Sequence, residues 1–152
     1  MFRTILVPLD GSEVAATVLE QVVALARSNG AHVLLLTVGL PLATWFTRAS
    51  AVQGTLTFQA EAYLGRVRAH LEAHGLEVTT MVCIGEPACA ILDVAAQQQV
   101  DLIVINSRGG GGSPLPFLGS VAKKVAGAAA VPVLVLPASA DKGNPDNPSG
   151  AA

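Results

Sequence analysis

Short apolar runs alternate with amphipathic segments along most of this chain. Strand patterns are predicted at residues 4–8, 32–38, 77–83, 101–105 and 132–136. Apolar residues at helical spacing predict helices between them, over residues 13–28, 56–74, 88–98 and 121–130. Strict alternation of the two element types requires a parallel sheet with helices on both faces, and right-handed crossovers leave few strand orders. We therefore predict a doubly wound, Rossmann-like α/β fold whose five strands have the order 3-2-1-4-5.

Turn and cap residues mark several boundaries of these elements. Ser12 is predicted to cap the first helix and Gly30 to end it. Residues 39–54 are predicted to form a longer irregular connection. Gly75 is predicted to cap the second helix, and Pro87 to open the third.

Two strands are predicted to lie at the edges of the sheet. Residues 77–83 alternate polar and apolar, as an outer strand does, and residues 133–136 are apolar throughout. An unprotected edge strand tends to pair with another chain. The last strand is therefore the predicted contact of a homodimer.

The composition is that of an aliphatic, single-domain protein. Of the 152 residues, 51% are hydrophobic and only 13% are charged, which is typical of a parallel sheet covered on both faces. We assign residues 1–137 to one domain. Residues 138–152 contain no large apolar side chain, so they cannot offset their ordering entropy and are predicted to form a disordered tail.

Charge and hydropathy argue against several classes of partner. The net charge is −2 and the Lys and Arg residues are not clustered, so no nucleic-acid-binding surface is expected. No apolar run approaches the ~20 residues that a membrane helix needs. The short run near the amino terminus does not fit a signal peptide either. We expect a cytoplasmic protein without membrane association.

Residues that commonly bind metals or react are few. Cys83 and Cys89 lack the spacing of a zinc site or a Cys-x-x-Cys pair, so each is expected to pack as a small apolar residue. His70 and His74 are four residues apart on a polar helix face, but no carboxylate pattern accompanies them. Neither a metal site nor a catalytic residue is therefore predicted.

Four consecutive glycines, residues 109–112, follow the fourth strand pattern. Without side chains, their N–H groups allow an anion to approach closely. A helix that starts at Gly119 and Ser120 adds unpaired N–H groups and the positive end of its dipole. The segment predicts a phosphate site, although a flexible surface loop explains the glycines alone equally well. It is not a Walker A loop, because the helix opens with Gly-Ser-Val instead of Gly-Lys-Ser.

Asp10 stands where the chain leaves the first strand, directly before Gly11. Strands 1 and 4 flank the switch point of the predicted sheet, where ligands bind in doubly wound folds. An acidic residue there can accept hydrogen bonds from a sugar hydroxyl or a base amine. The alternative is that Asp10 caps its own turn or the first helix, as aspartate commonly does.

The pattern as a whole resembles the universal stress protein family. Nucleotide-binding members carry Gly-x2-Gly-x9-Gly-Ser/Thr after the fourth strand, and this chain has Asn106-x2-Gly109-x9-Gly119-Ser120. The likeness extends over residues 5–136. It departs from the family's motif at Asn106, which stands in place of the first glycine.

This resemblance implies an ATP site at the switch point of the sheet. The implied site comprises adenine contacts at Pro8 and Val38, an adenosine contact at Asp10, ribose neighbours at Gly85 and Pro87, and phosphate contacts at Gly109, Gly119 and Ser120, with Asn106, Arg108, Gly112 and Val121 in the same segment. ATP, ADP and AMP all remain candidates for the bound nucleotide.

The balance of charge around the phosphates predicts a divalent ion. Arg108 is the one cation within the glycine segment, and Lys123 and Lys124 lie one turn into the following helix. A helix N-terminus contributes roughly 0.3–1 kcal/mol per interaction, which is too little to hold a triphosphate in a negatively charged protein. We therefore expect Mg²⁺ to bridge the phosphate oxygens.

Three functions remain open from the sequence. The first is a regulatory, stress-response nucleotide-binding homodimer with slow or no hydrolysis. The second is a weak ATPase, although no nucleophile–base pair or arginine finger is evident. The third is an interaction protein with a degenerate pocket. In that case residues 40–46, with Trp45, would form a partner patch or pocket lid, unless they anchor a buried loop.

Overall fold

The structure of the chain, a computed structural model, describes residues 1–11, 16–39, 49–107 and 119–137. Its elements are β1 Thr4–Leu9, α1 Ala16–Asn29, β2 His32–Gly39, α2 Ala49–Glu72, β3 Val78–Ile84, α3 Pro87–Gln97, β4 Leu102–Asn106, α4 Ser120–Ala128 and β5 Val133–Leu136. Side chains are described from Val18 in α1 and from Gln59 in α2. The predicted alternation of strands and helices is confirmed over these ranges.

The five strands form one parallel sheet in the order β3-β2-β1-β4-β5. The predicted strand order and fold class are therefore confirmed. β3 and β5 are the outer strands, as the patterns of residues 77–83 and 133–136 predicted. β1 and β4 are neighbours at the centre, so the switch point lies between them.

The helices cover the two faces of the sheet in pairs. On the α1/α2 face, alternate strand residues such as Ile5 and Leu35 pack with Val22 of α1 and with Leu64 and Leu71 of α2. On the α3/α4 face, the intervening strand residues pack against both helices. The strand residues of this cluster include Leu6, Leu34, Leu36, Ile103 and Ile105, and the helix residues are Ala88, Ile91 and Val94 of α3 and Ala122 and Val125 of α4. Each fully buried Leu or Ile contributes about 1.5–3 kcal/mol. The register of every strand is therefore strongly fixed.

Two predictions about local structure are wrong. Residues 49–54 were predicted to lie in an irregular connection, but α2 already begins at Ala49. Gly54 looked like a boundary, yet one glycine costs only about 0.5–1 kcal/mol inside a helix, and α2 is 24 residues long. Cys89 is exposed and does not pack as an apolar residue, because its neighbour Ala88 takes the buried position in the first turn of α3.

Other local predictions are confirmed. Gly30 and Gly75, which follow α1 and α2, have positive φ values of 62° and 81°, so glycine suits the turns that end these helices. Cys83 is half-buried and packs on the α3/α4 face. Pro87 is the first residue of α3.

Several predicted features lie outside the described residues. These are the Ser12 cap, residues 40–46 with Trp45, the glycine segment with Arg108, Gly109 and Gly112, and the tail at residues 138–152. Among the residues that are described, no helix is both long and apolar enough to cross a lipid bilayer.

Asp101 fastens β1 to β4 at the amino ends of the two strands. Its Oδ2 accepts hydrogen bonds from the main-chain N–H groups of Arg3 (2.8 Å) and Thr4 (2.9 Å). These two bonds lower the pKa of the Asp101 carboxyl group. The central pair of strands is therefore anchored at this end of the sheet, opposite to the carboxyl ends, where ligands bind in doubly wound folds in general.

Candidate functional site

The ladder that pairs β1 with β4 is shorter than those on either side of it. β1 stays paired with β2 to its last residue, Leu9, and β4 stays paired with β5 to Asn106. Among the described residues, pairing between β1 and β4 does not continue past Leu6 with Ile103. The ladder between the two central strands therefore ends before the carboxyl edge, and we call the unpaired part of this edge between them the β1–β4 gap.

Pro8 explains why the pairing ends there. The carbonyl of Thr4 accepts a hydrogen bond from the N–H of Asp101 at 3.0 Å, so the main-chain groups of Thr4 face β4. Main-chain direction alternates along a strand, so those of Pro8 face β4 as well. Proline has no N–H to donate and cannot continue the ladder. The residue predicted to line the adenine slot is thus the one that ends the ladder between β1 and β4.

Val38 lies beside the end of β1. The next residue, Gly39, accepts a hydrogen bond from the N–H of Gly85 on the β3 side, at 2.9 Å. By alternation, the main-chain groups of Val38 face the opposite side, where β1 has ended at Leu9. At the carboxyl edge, the peptide groups of Val38 therefore point toward the space beyond the end of β1. Gly85 and Pro87 lie at the same edge, after the end of β3.

Asp10 follows β1 and has Tyr63 of α2 nearby. Burial, and next the negative charge of Asp10, raise the pKa of Tyr63 to about 12, against a smaller lowering effect of Arg66. Tyr63 is half-buried and packs on the α1/α2 face. A neutral phenol thus lies close to an exposed carboxylate, and no sequence pattern indicated this residue.

Ser107 and Gly119, the described residues on either side of residues 108–118, lie together at the carboxyl edge. Ser107 donates its N–H to the carbonyl of Leu136 at 2.8 Å, and its own carbonyl accepts the N–H of Gly119. α4 begins at the next residue, Ser120. The structure therefore brings Asn106, Gly119, Ser120 and Val121 together beside the β1–β4 gap.

Within the described ranges, the N-terminus of α4 carries no side-chain cap. Its N-cap residue is Gly119, with φ −59° and ψ 158°, and glycine has no side chain to bond to the first-turn N–H groups. Any residue adopts those angles, so the backbone does not require glycine at this position. The backbone angles therefore give no reason for glycine here. A residue without a side chain would, however, allow a ligand to approach the N–H groups of Ser120 and Val121 closely.

The N-terminus of α3 is, by contrast, occupied by the protein itself. Glu86 accepts a hydrogen bond from the N–H of Cys89 at 2.8 Å, and its carboxylate lies 3.5 Å from Lys124 of α4. The Cys89 hydrogen bonds are the main reason that the pKa of Glu86 falls from 4.5 to about 2. The cap therefore stabilises the fold fully above about pH 4.5 and loses that effect only as the pH falls toward 2. Of these two helix ends, only that of α4 lacks a side-chain cap from the part of the chain that the structure describes.

A family model of the universal stress proteins matches residues 1–137 of the chain. This protein belongs to the universal stress protein family. The universal stress protein YxiE of Bacillus subtilis is 31% identical in an alignment of 151 positions, and this alignment covers 90% of this chain and 99% of the relative.

Solved structures of the family share this architecture. The structure of MJ0577 of Methanocaldococcus jannaschii superposes with a TM-score of 0.79 at 28% identity, over 90% of this chain and 96% of the other. A universal stress protein of Archaeoglobus fulgidus, solved in complex with dAMP, superposes with a TM-score of 0.66 at 24% identity, over 88% and 96% of the two chains. These likenesses support the five-stranded fold of the present universal stress protein.

Two buried oxygens of this universal stress protein flank β1 at the carboxyl edge. Among the described residues, Oγ1 of Thr37 and Oδ1 of Asn106 have no hydrogen-bond partner. Thr37 pairs with Leu9 in the last row of β1, and the residue is only 7% exposed. Each unpaired buried polar atom lowers the free energy of unfolding by about 1–3 kcal/mol. These two oxygens at the carboxyl edge therefore do not stabilise the fold.

Most of the predicted site residues lie along one edge of the sheet. Those in the described ranges are Pro8, Asp10, Val38, Gly85, Pro87, Asn106, Gly119, Ser120 and Val121. Residues that the sequence pattern missed are Tyr63, Thr37 and the capping Glu86. Within the described ranges, no three His, Cys, Asp or Glu side chains are grouped closely enough to hold a metal ion.

Proposed function

We propose that this universal stress protein binds an adenine nucleotide at the β1–β4 gap, with ATP as the expected ligand. The observation that carries the proposal is the N-terminus of α4, which has no side-chain cap from the described residues and lies beside the gap, where Gly119 donates its N–H to Ser107. Unpaired N–H groups and the positive end of a helix dipole favour phosphate. A relative of the same fold is solved in complex with dAMP, which supports an adenine nucleotide as the ligand class.

The phosphates are assigned to the start of α4. The N–H groups of Ser120 and Val121 and the hydroxyl of Ser120 would bind them, together with Arg108, Gly109 and Gly112 of the glycine segment. Lys124 is engaged with Glu86, so it neutralises the phosphates less than a free lysine would. Mg²⁺ bridging the phosphate oxygens would supply the remaining positive charge.

The nucleoside is assigned to the other side of the gap. Pro8 and the peptide groups of Val38 would contact the base, since both lie where β1 leaves the sheet. The carboxylate of Asp10 accepts hydrogen bonds and would bind a donor of the nucleoside. Gly85 and Pro87 lie further along the edge and would border the ribose.

The function we assign is regulatory binding with slow or no hydrolysis, in the cytoplasm, as a homodimer. In the described part of the site no side chains form a nucleophile–base pair or an arginine finger, so the groups present bind phosphate without an apparatus to activate water. A nucleotide-dependent change in stability or assembly is the output that such a site can produce.

A thermal-shift titration tests the proposed function. Mg-ATP at 100 times its dissociation constant should stabilise the protein by about 2.7 kcal/mol, which raises the melting temperature by roughly 5–10 °C at this chain length. ADP and AMP, run in parallel, identify the preferred nucleotide. A shift without phosphate release supports the regulatory function. A shift with steady phosphate release supports the weak ATPase, and no shift with any of the three supports the interaction protein with a degenerate pocket.

The proposed homodimer is tested at the outer edge of β5. Pro132 and Leu136 accept hydrogen bonds from β4, so by alternation the N–H of Val135 points away from the sheet. Val135→Pro removes that outward donor and leaves the bonds to β4 intact. We expect the wild type to sediment as a dimer and Val135→Pro as a folded monomer. A dimer that survives Val135→Pro would show that the contact does not use this edge. Leu134→Pro, which removes a donor facing β4, should instead destabilise the fold.

A further inference from the structure

His70 and His74 lie one helical turn apart at the carboxyl end of α2. The helix ends at Glu72, but the chain keeps a helical turn beyond it, because the N–H of Ala73 bonds to the carbonyl of Ala69 at 3.0 Å. Side chains four residues apart in such a turn lie on the same face. Both histidines are exposed. The two imidazole rings are therefore neighbours that solvent can reach.

The distance between the two rings suits two ligands of one metal ion. The ring centroids of His70 and His74 are 4.9 Å apart, and the ring planes are tilted by 51°. Two imidazole nitrogens about 2.1 Å from one ion, at an angle of roughly 90–110°, place the ring centroids roughly 4.6–5.3 Å apart. The observed separation falls within this range, so the backbone already holds both rings at the distance that a chelate needs. Histidines at positions i and i+4 of a helix bind zinc with this spacing in metalloproteases.

A hydrogen bond to the main chain determines which nitrogen of His74 is available. Nδ1 of His74 lies 2.8 Å from the carbonyl oxygen of His70. A carbonyl oxygen only accepts hydrogen bonds, so Nδ1 carries the proton and donates it. In the neutral imidazole, Nε2 then keeps the lone pair that a metal ion binds. Metal-binding histidines almost always donate their other N–H to a carbonyl, a carboxylate or water. His74 therefore has the tautomer and the orientation of a metal ligand.

The surroundings of the pair favour a cation and lie far from the β1–β4 gap. The carboxyl end of a helix is the negative end of its dipole. The nearby guanidinium of Arg68 is paired with Glu72 at 2.7 Å, so its positive charge is balanced. The chain enters β3 at Val78 soon after the pair, which places the histidines at the amino ends of the strands. The pair is therefore separate from the proposed nucleotide site, which lies at the carboxyl ends.

We propose that His70 and His74 together bind one divalent transition-metal ion of the class that imidazole prefers, namely Zn²⁺, Ni²⁺ or Cu²⁺. Within the described ranges no third His, Cys, Asp or Glu side chain joins them. Water would then complete the coordination, and two protein ligands are enough for reversible binding but not for a closed structural site. Mg²⁺ prefers oxygen ligands, so this site is distinct in its chemistry from the Mg²⁺ expected at the phosphates.

Isothermal titration calorimetry without nucleotide tests the site with ZnCl₂, NiCl₂ and CuCl₂, and with MgCl₂ as the negative control. We expect the wild type to bind one ion of each transition metal per chain, Cu²⁺ most tightly, and no Mg²⁺. His70→Gln and His74→Gln each remove one ligand. Two linked ligands bind at least about tenfold more tightly than one, so each variant should lose at least that factor in affinity. Glutamine is polar and suits both exposed positions, so the melting temperature without metal should stay close to that of the wild type.

His32→Gln and Cys89→Ser are the matched controls. His32 is the third histidine of the chain, and the Cys89 thiol is exposed. Both variants should bind the three transition-metal ions as the wild type does. A loss of binding in either control, with both His70→Gln and His74→Gln unaffected, would place the ion elsewhere and overturn the inference.

Two further outcomes would also overturn it. One is that the folded wild type binds none of the three transition-metal ions. The other is that only one of His70→Gln and His74→Gln weakens binding, because the ion would then have a single imidazole ligand and no chelate. Neither outcome bears on nucleotide binding, which the thermal-shift titration with Mg-ATP decides separately.

Discussion

Gly119→Asp is expected to stabilise the ligand-free protein and to abolish nucleotide binding. The backbone of Gly119 already has N-cap geometry, so aspartate fits without strain and its carboxylate can accept the first-turn N–H groups of α4. Cap and dipole together should add about 0.5–1 kcal/mol, or roughly 1–4 °C in melting temperature. The same carboxylate occupies the phosphate position, and like charges in contact cost several kcal/mol. The affinity for Mg-ATP should therefore fall by at least about 100-fold.

Two further variants at position 119 distinguish the effect of a side chain that fills the phosphate position from the effect of its negative charge. Gly119→Asn has nearly the shape of aspartate and caps the helix, but it carries no charge, so it should lose less affinity. Gly119→Ala keeps the backbone angles that glycine adopts and should melt close to the wild type. Glu86 already shows the effect on α3, where a carboxylate holds the N-terminal N–H groups. Unchanged nucleotide binding by Gly119→Asp would place the phosphates elsewhere.

The architecture could be predicted because it depends on patterns that span whole elements. Continuous apolar runs such as residues 32–38 occur where both faces of a parallel strand are covered, and the structure covers β2 in this way. The alternation of residues 77–83 identified an outer strand for the same reason. The start of α2 was mispredicted because it depends on a balance of small terms. A single glycine at position 54 indicated a boundary, but its cost is small beside the stability of a long helix.

The candidate site was predictable only in part, because some of its residues are brought together by tertiary packing and not by a sequence motif. The motif spacing identified Gly119 and Ser120, and the strand end identified Asp10. Tyr63 is 53 residues from Asp10 along the chain, and only the packing of α2 on the sheet brings the two together. Thr37 did carry a signal, since it is the one polar residue within the apolar run of β2. That its hydroxyl lacks a partner among the residues the structure describes follows only from the tertiary structure.

The N-terminal cap of α3 was missed for a different reason. Gly85 and Pro87 were assigned to the ribose from the family resemblance, and Glu86 between them received no role. Proline at the first helical position places the residue before it at the N-cap. The cap could therefore have been predicted from local sequence alone, although glutamate is not among the preferred N-cap residues. Its bond to the N–H of Cys89 shows that the carboxylate nevertheless takes this role.

Thr37→Val is expected to make the ligand-free protein more stable than the wild type. The Oγ1 of Thr37 is buried without a partner among the described residues, and the residue is only 7% exposed. Valine has almost the same shape and suits a strand equally well. Replacing the hydroxyl with a methyl group should therefore remove a desolvation cost of about 1–2 kcal/mol. The melting temperature should rise by roughly 2–6 °C.

Thr80→Val is the matched control, because it makes the same change on the neighbouring strand at a half-buried position. Water can reach Thr80, so its substitution should change stability by less than about 0.5 kcal/mol. If Thr37→Val instead lowers the melting temperature, its hydroxyl has a hydrogen-bond partner in solution, and an ordered buried water would be the first candidate. If the expected increase is found, the sheet keeps a destabilising hydroxyl at the edge where Asp10, Tyr63 and Asn106 lie. A polar group that weakens the fold in the ligand-free state is then best explained by binding at that edge.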